Sequence, residues 1–260
     1  MTGFDGAILD VDGTVLRGAD PIPGAAEAIT KLRDRGCAVV FVTNNPTVGP
    51  AVVAERLRAA GIDADPREVL TSGGVTADFL ADDRPDDDLF VVGEVGLREQ
   101  LSARDLSLTD DYAAADTLVA SIDREFTYDR LKTALWSLAD ESVGFVGTDP
   151  DRVIPTADGL VPGSGAIINA VADVAGREPE AVLGKPHEVT RAAALDRLGV
   201  DSAQCVVVGD RLDTDVALAT GTDMTTVLTL TGVSDRTTVE ASEFVPDHVV
   251  SSLADVPALW

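Results

Sequence analysis

The stretch Leu9-Asp10-Val11-Asp12-Gly13-Thr14 ends an apolar run, and together they predict a buried β-strand over residues 4–10 that leads into two carboxylates. Two acids at positions i and i+2 can converge on one hard cation in a tight turn, which Gly13 permits the backbone to make. One acid could also serve as a nucleophile, because a bound cation would neutralise its repulsion of an anionic substrate. Taken alone, the same residues are also typical of an ordinary turn, since Asp and Gly are common turn residues.

Outward from this stretch, short β-branched runs alternate with Ala- and Leu-rich stretches, which predicts βα units around a parallel sheet and hence an α/β fold. Further strands are predicted at residues 38–42, 89–92, 117–120, 143–146, 205–209, 225–230 and 248–250. Helices are predicted at residues 23–35, 49–60, 73–82, 96–101, 128–138, 166–175, 188–198 and 215–219. An irregular loop is expected over residues 147–165, which are rich in Gly, Pro and Asp.

An acidic, Pro-containing stretch at residues 82–88 indicates a domain boundary, and a second α/β alternation begins beyond it. The first pattern resumes at Val182-Leu183. The sequence therefore predicts one α/β domain from residues 1–80 and 182–260, interrupted by a smaller domain at residues 81–181.

Three more polar clusters follow predicted strands, where ligands bind in a doubly wound sheet. Thr43-Asn44-Asn45 supplies a hydroxyl, amides and backbone N–H groups suited to phosphate oxygens. Lys185 lies in a Gly-Pro turn, and Asp210 is followed by Asp213 and Asp215. These acids would complete a Mg²⁺ site with the first pair. Each cluster also has a purely structural interpretation. Thr43 could belong to a loop that caps the next helix, Lys185 could be a surface lysine, and the acids, Asp213 above all, could face solvent.

The motifs Asp-x-Asp-Gly-Thr (10–14), Thr-Asn-Asn (43–45), Gly-Lys-Pro (184–186) and Gly-Asp-x-x-x-Thr-Asp (209–215) occur in this order. The ordered set resembles the four motifs of the haloacid dehalogenase-like (HAD) superfamily. It is similar to the branch of p-nitrophenylphosphatase-like and N-acetylglucosamine-phosphate-phosphatase-like sugar phosphatases. The resemblance implies a Rossmann-like core with an α/β cap inserted between the second and third motifs.

The resemblance also implies catalytic roles. Asp10 would be the nucleophile that forms an aspartyl-phosphate, and Asp12 would protonate the leaving alkoxide and then activate water. Lys185 would neutralise phosphoryl charge and orient Asp10. An acid at position 12 favours a phosphatase over the dehalogenases of the superfamily, which lack it.

Binding roles follow from the same resemblance. Mg²⁺ would be held by the Asp10 carboxylate, the backbone carbonyl of Asp12 and the Asp210 carboxylate, with Asp215 in support. Thr43, Asn44 and Lys185 would bind the substrate phosphate. Asp149 stands where many relatives have Asn, which leaves its role and that of the nearby Ser164 open.

These residues predict a phosphatase of small phosphate monoesters, with two rivals. A phosphotransferase would pass the same phosphoryl group to a hydroxyl acceptor other than water. A catalytically idle metabolite-binding protein would keep the fold without turnover, although it has no chemical need for the full set of acids and lysine. The resemblance favours a homodimer, because cap-mediated dimers occur among relatives.

Composition excludes several other classes. The formal net charge is −25, from 20 Lys+Arg against 45 Asp+Glu. This charge argues against nucleic-acid and membrane-surface binding, which need basic faces. The opening residues predict no signal peptide, and the lack of a long apolar run predicts no transmembrane helix. Cys37 and Cys205 lie in apolar runs and are interpreted as small hydrophobic residues. The expected location is the cytoplasm.

The acidity also predicts adaptation to a salt-rich cytoplasm, because lysines are few and Asp runs such as 86–88 are typical of a solvated surface. Self-repulsion is expected to destabilise the fold in dilute buffer, and screening at molar salt (Debye length ~3 Å) is expected to relieve it. Thermal unfolding in dilute buffer and in molar KCl tests this halophilic character. Equal melting temperatures would contradict it.

Overall fold

The computed structural model describes residues 3–156 and 158–259. Contacts divide the chain into two compact units. The first comprises the described residues of Met1–Thr43, Pro50–Leu70 and Lys185–Trp260, and the second those of Asn44–Gly49 and Thr71–Gly184. The domain boundaries near residues 80 and 181 stay a prediction.

Both units are built from alternating strands and helices, which confirms the predicted α/β class. The strands, in chain order, are β1 (Gly6–Asp10), β2 (Leu16–Arg17), β3 (Asp20–Pro21), β4 (Ala38–Thr43), β5 (Val69–Thr71), β6 (Asp88–Val92), β7 (Ser107–Thr109), β8 (Thr117–Ala120), β9 (Gly144–Gly147), β10 (Val153–Thr156), β11 (Gly159–Pro162), β12 (Ala181–Val182), β13 (Cys205–Gly209), β14 (Thr225–Thr229) and β15 (His248–Val250). The α-helices are α1 (Ala25–Asp34), α2 (Pro50–Ala59), α3 (Ser72–Asp83), α4 (Val95–Ser102), α5 (Tyr128–Ser137), α6 (Ser164–Ala175), α7 (Glu188–Leu198) and α8 (Arg236–Ala241).

The first unit contains a six-stranded sheet in the order β15-β14-β13-β1-β4-β5. Strand β1 is parallel to both of its neighbours, with Asp10 opposite Val42 and Leu9 opposite Val208. Its five residues are all buried, as are those of β13, and β1 is apolar up to Asp10, which is the pattern that a sheet covered on two faces requires. The carboxyl ends of β13, β1 and β4 therefore lie side by side, and the motif residues leave the sheet at one edge.

The second unit contains a five-stranded parallel sheet in the order β12-β9-β8-β6-β7. Its core joins the sheet to α5 and α6 through buried residues that include Leu118, Phe145 and Ile168. No helix in the described residues combines the length and the apolarity that crossing a bilayer needs.

Two local predictions were wrong. The expected irregular loop at residues 147–165 contains the antiparallel pair β10–β11, in which Val153 is opposite Pro162. The pair forms its own two-stranded sheet, where prolines are tolerated because edge positions need not donate a hydrogen bond. The expected helix at residues 215–219 is instead a π-helical turn, Leu212–Val216, followed by a short 3₁₀ turn, Ala217–Ala219.

Candidate active site

A buried lysine joins two of the predicted acids at the carboxyl edge of the first sheet. The Lys185 ammonium donates one hydrogen bond to Asp10 Oδ1 at 2.6 Å and another to Asp215 Oδ1 at 2.6 Å. All three side chains are buried. Burial alone would lower the pKa of Lys185, but the carboxylates of Asp10 and Asp215 raise it above its ordinary value. The ammonium is therefore held in its charged form.

Asp215 is fixed by the turn that follows β13. Its Oδ2 accepts hydrogen bonds from the backbone N–H groups of Asp210 at 3.1 Å and Arg211 at 3.0 Å. These bonds connect the π-helical turn Leu212–Val216 to the end of β13, and the Asp215 carboxylate is buried there. Only a glycine fits at Gly209, because a Cβ there would lie 2.2 Å from the Asp215 carboxylate.

Asp210 is held by the loop that follows β14. Its Oδ2 accepts a hydrogen bond from the backbone N–H of Val233 at 2.6 Å. The carboxylate packs against the backbone of Gly13, which has a φ of 108°, and of Gly232. Burial, reinforced by the nearby Asp215 carboxylate, raises the pKa of Asp210 to about 6.

Gly232 offers a direct test of this packing, because an added Cβ would lie 1.8 Å from Asp210 Oδ2. We expect Gly232→Ala to displace the Asp210 carboxylate and to lower turnover by roughly 10²-fold, since misplacement of about an ångström costs that much. Gly49→Ala is the matched control, because its Cβ would meet neighbouring atoms only at ordinary contact distances, 3.7 Å or more. Equal activity in both variants would contradict the tight packing.

The three carboxylates form a group that suits a divalent cation. Oxygen atoms of Asp10, Asp210 and Asp215 lie within 4.8 Å of one another. Asp10 Oδ2 is buried and accepts no hydrogen bond from the described residues. Burial raises the pKa of Asp10 well above its ordinary value; Lys185 opposes the shift, and Asp215 and Asp210 add to it. One ammonium among three buried carboxylates leaves negative charge uncompensated, and an all-oxygen donor set is what hard cations prefer.

Asp12 is not part of this buried group through its side chain. The Asp12 side chain is 45% exposed, and its Oδ1 accepts a hydrogen bond from Arg56 Nη2 on α2 at 2.8 Å. The turn between Asp10 and Leu16 is closed by backbone bonds, including Gly13 N–H to Leu16 O at 2.7 Å. Asp12 therefore lies in the turn that follows Asp10, and its carboxylate is accessible to solvent.

The predicted phosphate-binding residues fall in different units. Thr43 ends β4 and is buried in the first unit. Asn44 belongs to the second unit, where its backbone carbonyl accepts a hydrogen bond from Ser72 Oγ at 3.0 Å. The same loop is fastened by Gln100, whose Nε2 donates to Pro46 O at 2.8 Å. Asn44 thus sits on a well-anchored loop.

Asp149 and Ser164 lie buried in the second unit. Thr148 Oγ1 donates to Asp149 Oδ2 at 3.0 Å, and the Ile122 N–H donates to Ser164 Oγ at 3.1 Å. Burial raises the pKa of Asp149 to about 8; the Asp151 carboxylate adds to the shift, while hydrogen bonds from Ser164 and Thr148 oppose it. Near neutral pH this group is largely a neutral acid.

A pH-dependent stability follows from Asp149. The folded protein keeps a proton on Asp149 that the unfolded chain releases near pH 3.8, so the contribution of Asp149 to stability falls as pH rises from there to about 8 and is constant above it. Asp149→Asn is neutral throughout and is expected to lack this slope, which is at most about 1.4 kcal/mol per pH unit. Urea unfolding across this pH range measures the difference, and the same slope in both proteins would contradict it.

Two further polar residues have structural roles. His187 caps α7, where its Nδ1 accepts a hydrogen bond from the Val189 N–H at 3.2 Å. Asp213 is 65% exposed at its side chain and pairs with Arg211.

Sequence reasoning missed two contributors to the site, Arg56 and the Val233 N–H. Val233 lies in the stretch Leu230-Thr231-Gly232-Val233, which carries no acidic or basic side chain. Arg56 looks like one more polar residue on an amphipathic helix. Neither has a local signal that points to Asp210 or Asp12.

Comparisons with known proteins show what this chain is similar to. A model described as haloacid dehalogenase-like hydrolase matches residues 7–107, and one described as HAD-hydrolase-like matches residues 182–256. An acid sugar phosphatase of Staphylococcus epidermidis is 34% identical over 253 residues, which cover 97% of this chain and 96% of that protein. The p-nitrophenyl phosphatase from Archaeoglobus fulgidus is 37% identical with a TM-score of 0.93, covering 100% of both chains. The 4-nitrophenylphosphatase from Thermotoga maritima is 30% identical with a TM-score of 0.91, covering 98% of this chain and 97% of that one.

Proposed function

The chain belongs to the haloacid dehalogenase-like hydrolases, and from this membership and the buried acidic group we propose that it is a Mg²⁺-dependent phosphatase of small phosphate monoesters. One observation carries the proposal. Asp10, at the end of a central strand, shares a buried lysine with Asp215 and lies within 4.8 Å of Asp210. This arrangement supplies a nucleophile, a positive charge and cation ligands at one edge of the sheet.

The reaction proceeds in two steps. The Asp10 carboxylate attacks phosphorus, the bond from phosphorus to the leaving oxygen breaks, and Asp12 gives a proton to that oxygen. Asp12 then takes a proton from a water molecule, which attacks the phosphorus of the aspartyl-phosphate; the bond between phosphorus and the Asp10 oxygen breaks, which restores the Asp10 carboxylate and releases inorganic phosphate. Both steps depend mainly on positioning and on stabilising spread negative charge, which is the general requirement of phosphoryl transfer.

Three groups bind the phosphoryl oxygens in this proposal. Lys185 supplies a full positive charge while it stays bonded to Asp10 and Asp215. Thr43 supplies a hydroxyl at the end of β4, and Asn44 follows it on the anchored loop. Their positions after a parallel strand support the assignment, because ligands of open α/β sheets bind there.

Mg²⁺ fits the remaining charge of the site. The carboxylates of Asp10 and Asp210 and the backbone carbonyl of Asp12 would hold it, and Asp215 would support its water shell or Lys185. When bound, the cation neutralises phosphoryl charge and lowers the repulsion between the substrate and Asp10. The unpartnered Oδ2 of Asp10 supports this ligand set.

The substrate class follows from the relatives. The similar proteins bear the names acid sugar phosphatase and p-nitrophenyl phosphatase, which favours phosphorylated sugars as the natural substrates here. An acidic surface suits a small diffusible ester better than a polyanion such as nucleic acid.

Hydrolysis of p-nitrophenyl phosphate in molar KCl tests the proposal, first with Mg²⁺ and then with excess EDTA. Turnover that EDTA abolishes and Mg²⁺ restores is expected, and phosphate release from a panel of sugar phosphates then ranks the substrates. A folded protein that releases no phosphate from any of these esters would overturn the proposal.

A further inference from the structure

Arg56 connects a surface helix to the turn that carries Asp12. Its Nη2 donates to Asp12 Oδ1 at 2.8 Å and to the backbone carbonyl of Gly18 at 3.1 Å. One guanidinium nitrogen thus joins two points of the segment that follows β1. Arg56 lies 44 residues beyond Asp12, so this contact is created by the fold rather than by local sequence.

The base of the Arg56 side chain is rigid. The neighbouring helix residues Val53, Ala54 and Leu57 are buried, which fixes α2 on the first unit. The Arg56 side chain is 31% exposed, so it is partly shielded from solvent. A long side chain that starts from a fixed helix and ends in two hydrogen bonds loses most of its freedom.

Asp12 needs such a support more than the other acids do. Asp10, Asp210 and Asp215 are buried and held by bonds inside the site, whereas the Asp12 side chain is 45% exposed. The Arg56 bond is made to Oδ1 and does not involve Oδ2. The carboxylate is therefore held through one oxygen, which leaves the other available for proton transfer.

We propose that Arg56 is a positioning residue of the hydrolysis, which orients Asp12 so that its Oδ2 faces the leaving oxygen. The inference rests on the proposed phosphatase function. In the first step Asp12 gives its proton to the leaving oxygen as the bond to phosphorus breaks, and the bonding electrons remain on that oxygen. Loss of Arg56 leaves the nucleophile and the cation ligands in place but weakens this proton transfer.

The predicted signature is a dependence on the leaving group. Phenyl phosphate and p-nitrophenyl phosphate have similar shapes, but phenoxide is the stronger base and needs the proton more. We expect Arg56→Gln to lower kcat/KM for phenyl phosphate about tenfold and for p-nitrophenyl phosphate by less than about threefold. Arg56→Lys is expected to recover part of the loss, because an ammonium can still bond Asp12 but lacks the planar fork.

The experiment compares wild type, both Arg56 variants and Arg67→Gln at one KCl concentration, with unfolding temperatures measured beside the rates. Arg67 is the matched control, since it forms an exposed pair with Asp65 and its loss removes the same charge. A selective loss with phenyl phosphate supports the proposal. Equal losses with both esters, or none, would overturn it. A wild type that hydrolyses neither ester would overturn the proposed function itself.

Discussion

Asp10→Asn is expected to lower kcat for p-nitrophenyl phosphate by on the order of 10⁴-fold or more, because the amide is too weak a nucleophile to attack phosphorus. The fold is expected to persist. Burial already penalises the Asp10 carboxylate, so a neutral side chain of the same shape relieves that penalty. Steady-state rates and thermal unfolding, measured on the same samples, test both halves of the expectation.

Two variants control this result. Asp10→Ala excludes activity that arises from slow reversion of Asn to Asp, and Asp213→Asn removes an exposed acid from the neighbouring turn. The Asp213 variant is expected to keep wild-type activity. If Asp10→Asn retained a tenth or more of the activity, roughly 10³-fold above the expectation, Asp10 would not be the nucleophile.

Lys185→Met is expected to lose both activity and stability. The substitution leaves Asp10 and Asp215 as buried carboxylates without their shared ammonium. Removing one partner of a buried ion pair costs about 3–5 kcal/mol of unfolding free energy. Activity falls as well, because the phosphoryl group loses its cationic partner. Urea unfolding and the p-nitrophenyl phosphate assay measure the two losses.

Charge balance separates this effect from a simple loss of packing. Lys185→Met combined with Asp215→Asn removes one ammonium and one carboxylate, and it is expected to recover part of the stability but none of the activity. Lys31→Met, on the exposed face of α1, is expected to change the unfolding free energy by less than about 0.5 kcal/mol. A Lys185→Met protein as stable as wild type would show that the buried carboxylates do not need the lysine.

The sequence predicted the parts of the fold that rest on strong local patterns. The apolar runs at Thr117–Ala120 and Cys205–Gly209 have the observed strand bounds, and the helix at Glu188–Leu198 has the observed ends. A fully buried strand in a parallel sheet is a short apolar run bounded by polar residues, so its ends can be recognised from the sequence alone. The clustering of Asp10, Asp210 and Asp215 could be expected because parallel strands of one sheet end at a common edge, whereas Lys185 follows β12, which belongs to the other sheet.

Features that depend on tertiary contacts could not be predicted. In the π-helical turn Leu212–Val216, the Asp215 carboxylate accepts hydrogen bonds from backbone N–H groups four and five residues earlier. The spacing of apolar residues in the sequence does not indicate such bonds. The β10–β11 pair contains prolines and glycines that are equally typical of loops. The Arg56–Asp12 bond depends on how α2 docks on the first unit.

Chemical trapping of the covalent intermediate tests the central claim most directly. The protein is acid-quenched during turnover of p-nitrophenyl phosphate with Mg²⁺ and treated with borohydride, which reduces an acyl phosphate to an alcohol, and the peptide that contains residue 10 is analysed by mass spectrometry. Conversion of Asp10 to homoserine, absent without substrate and absent in Asp10→Asn, is the predicted result. Sustained turnover with Asp10 unmodified, or with the reduced residue elsewhere, would contradict the account.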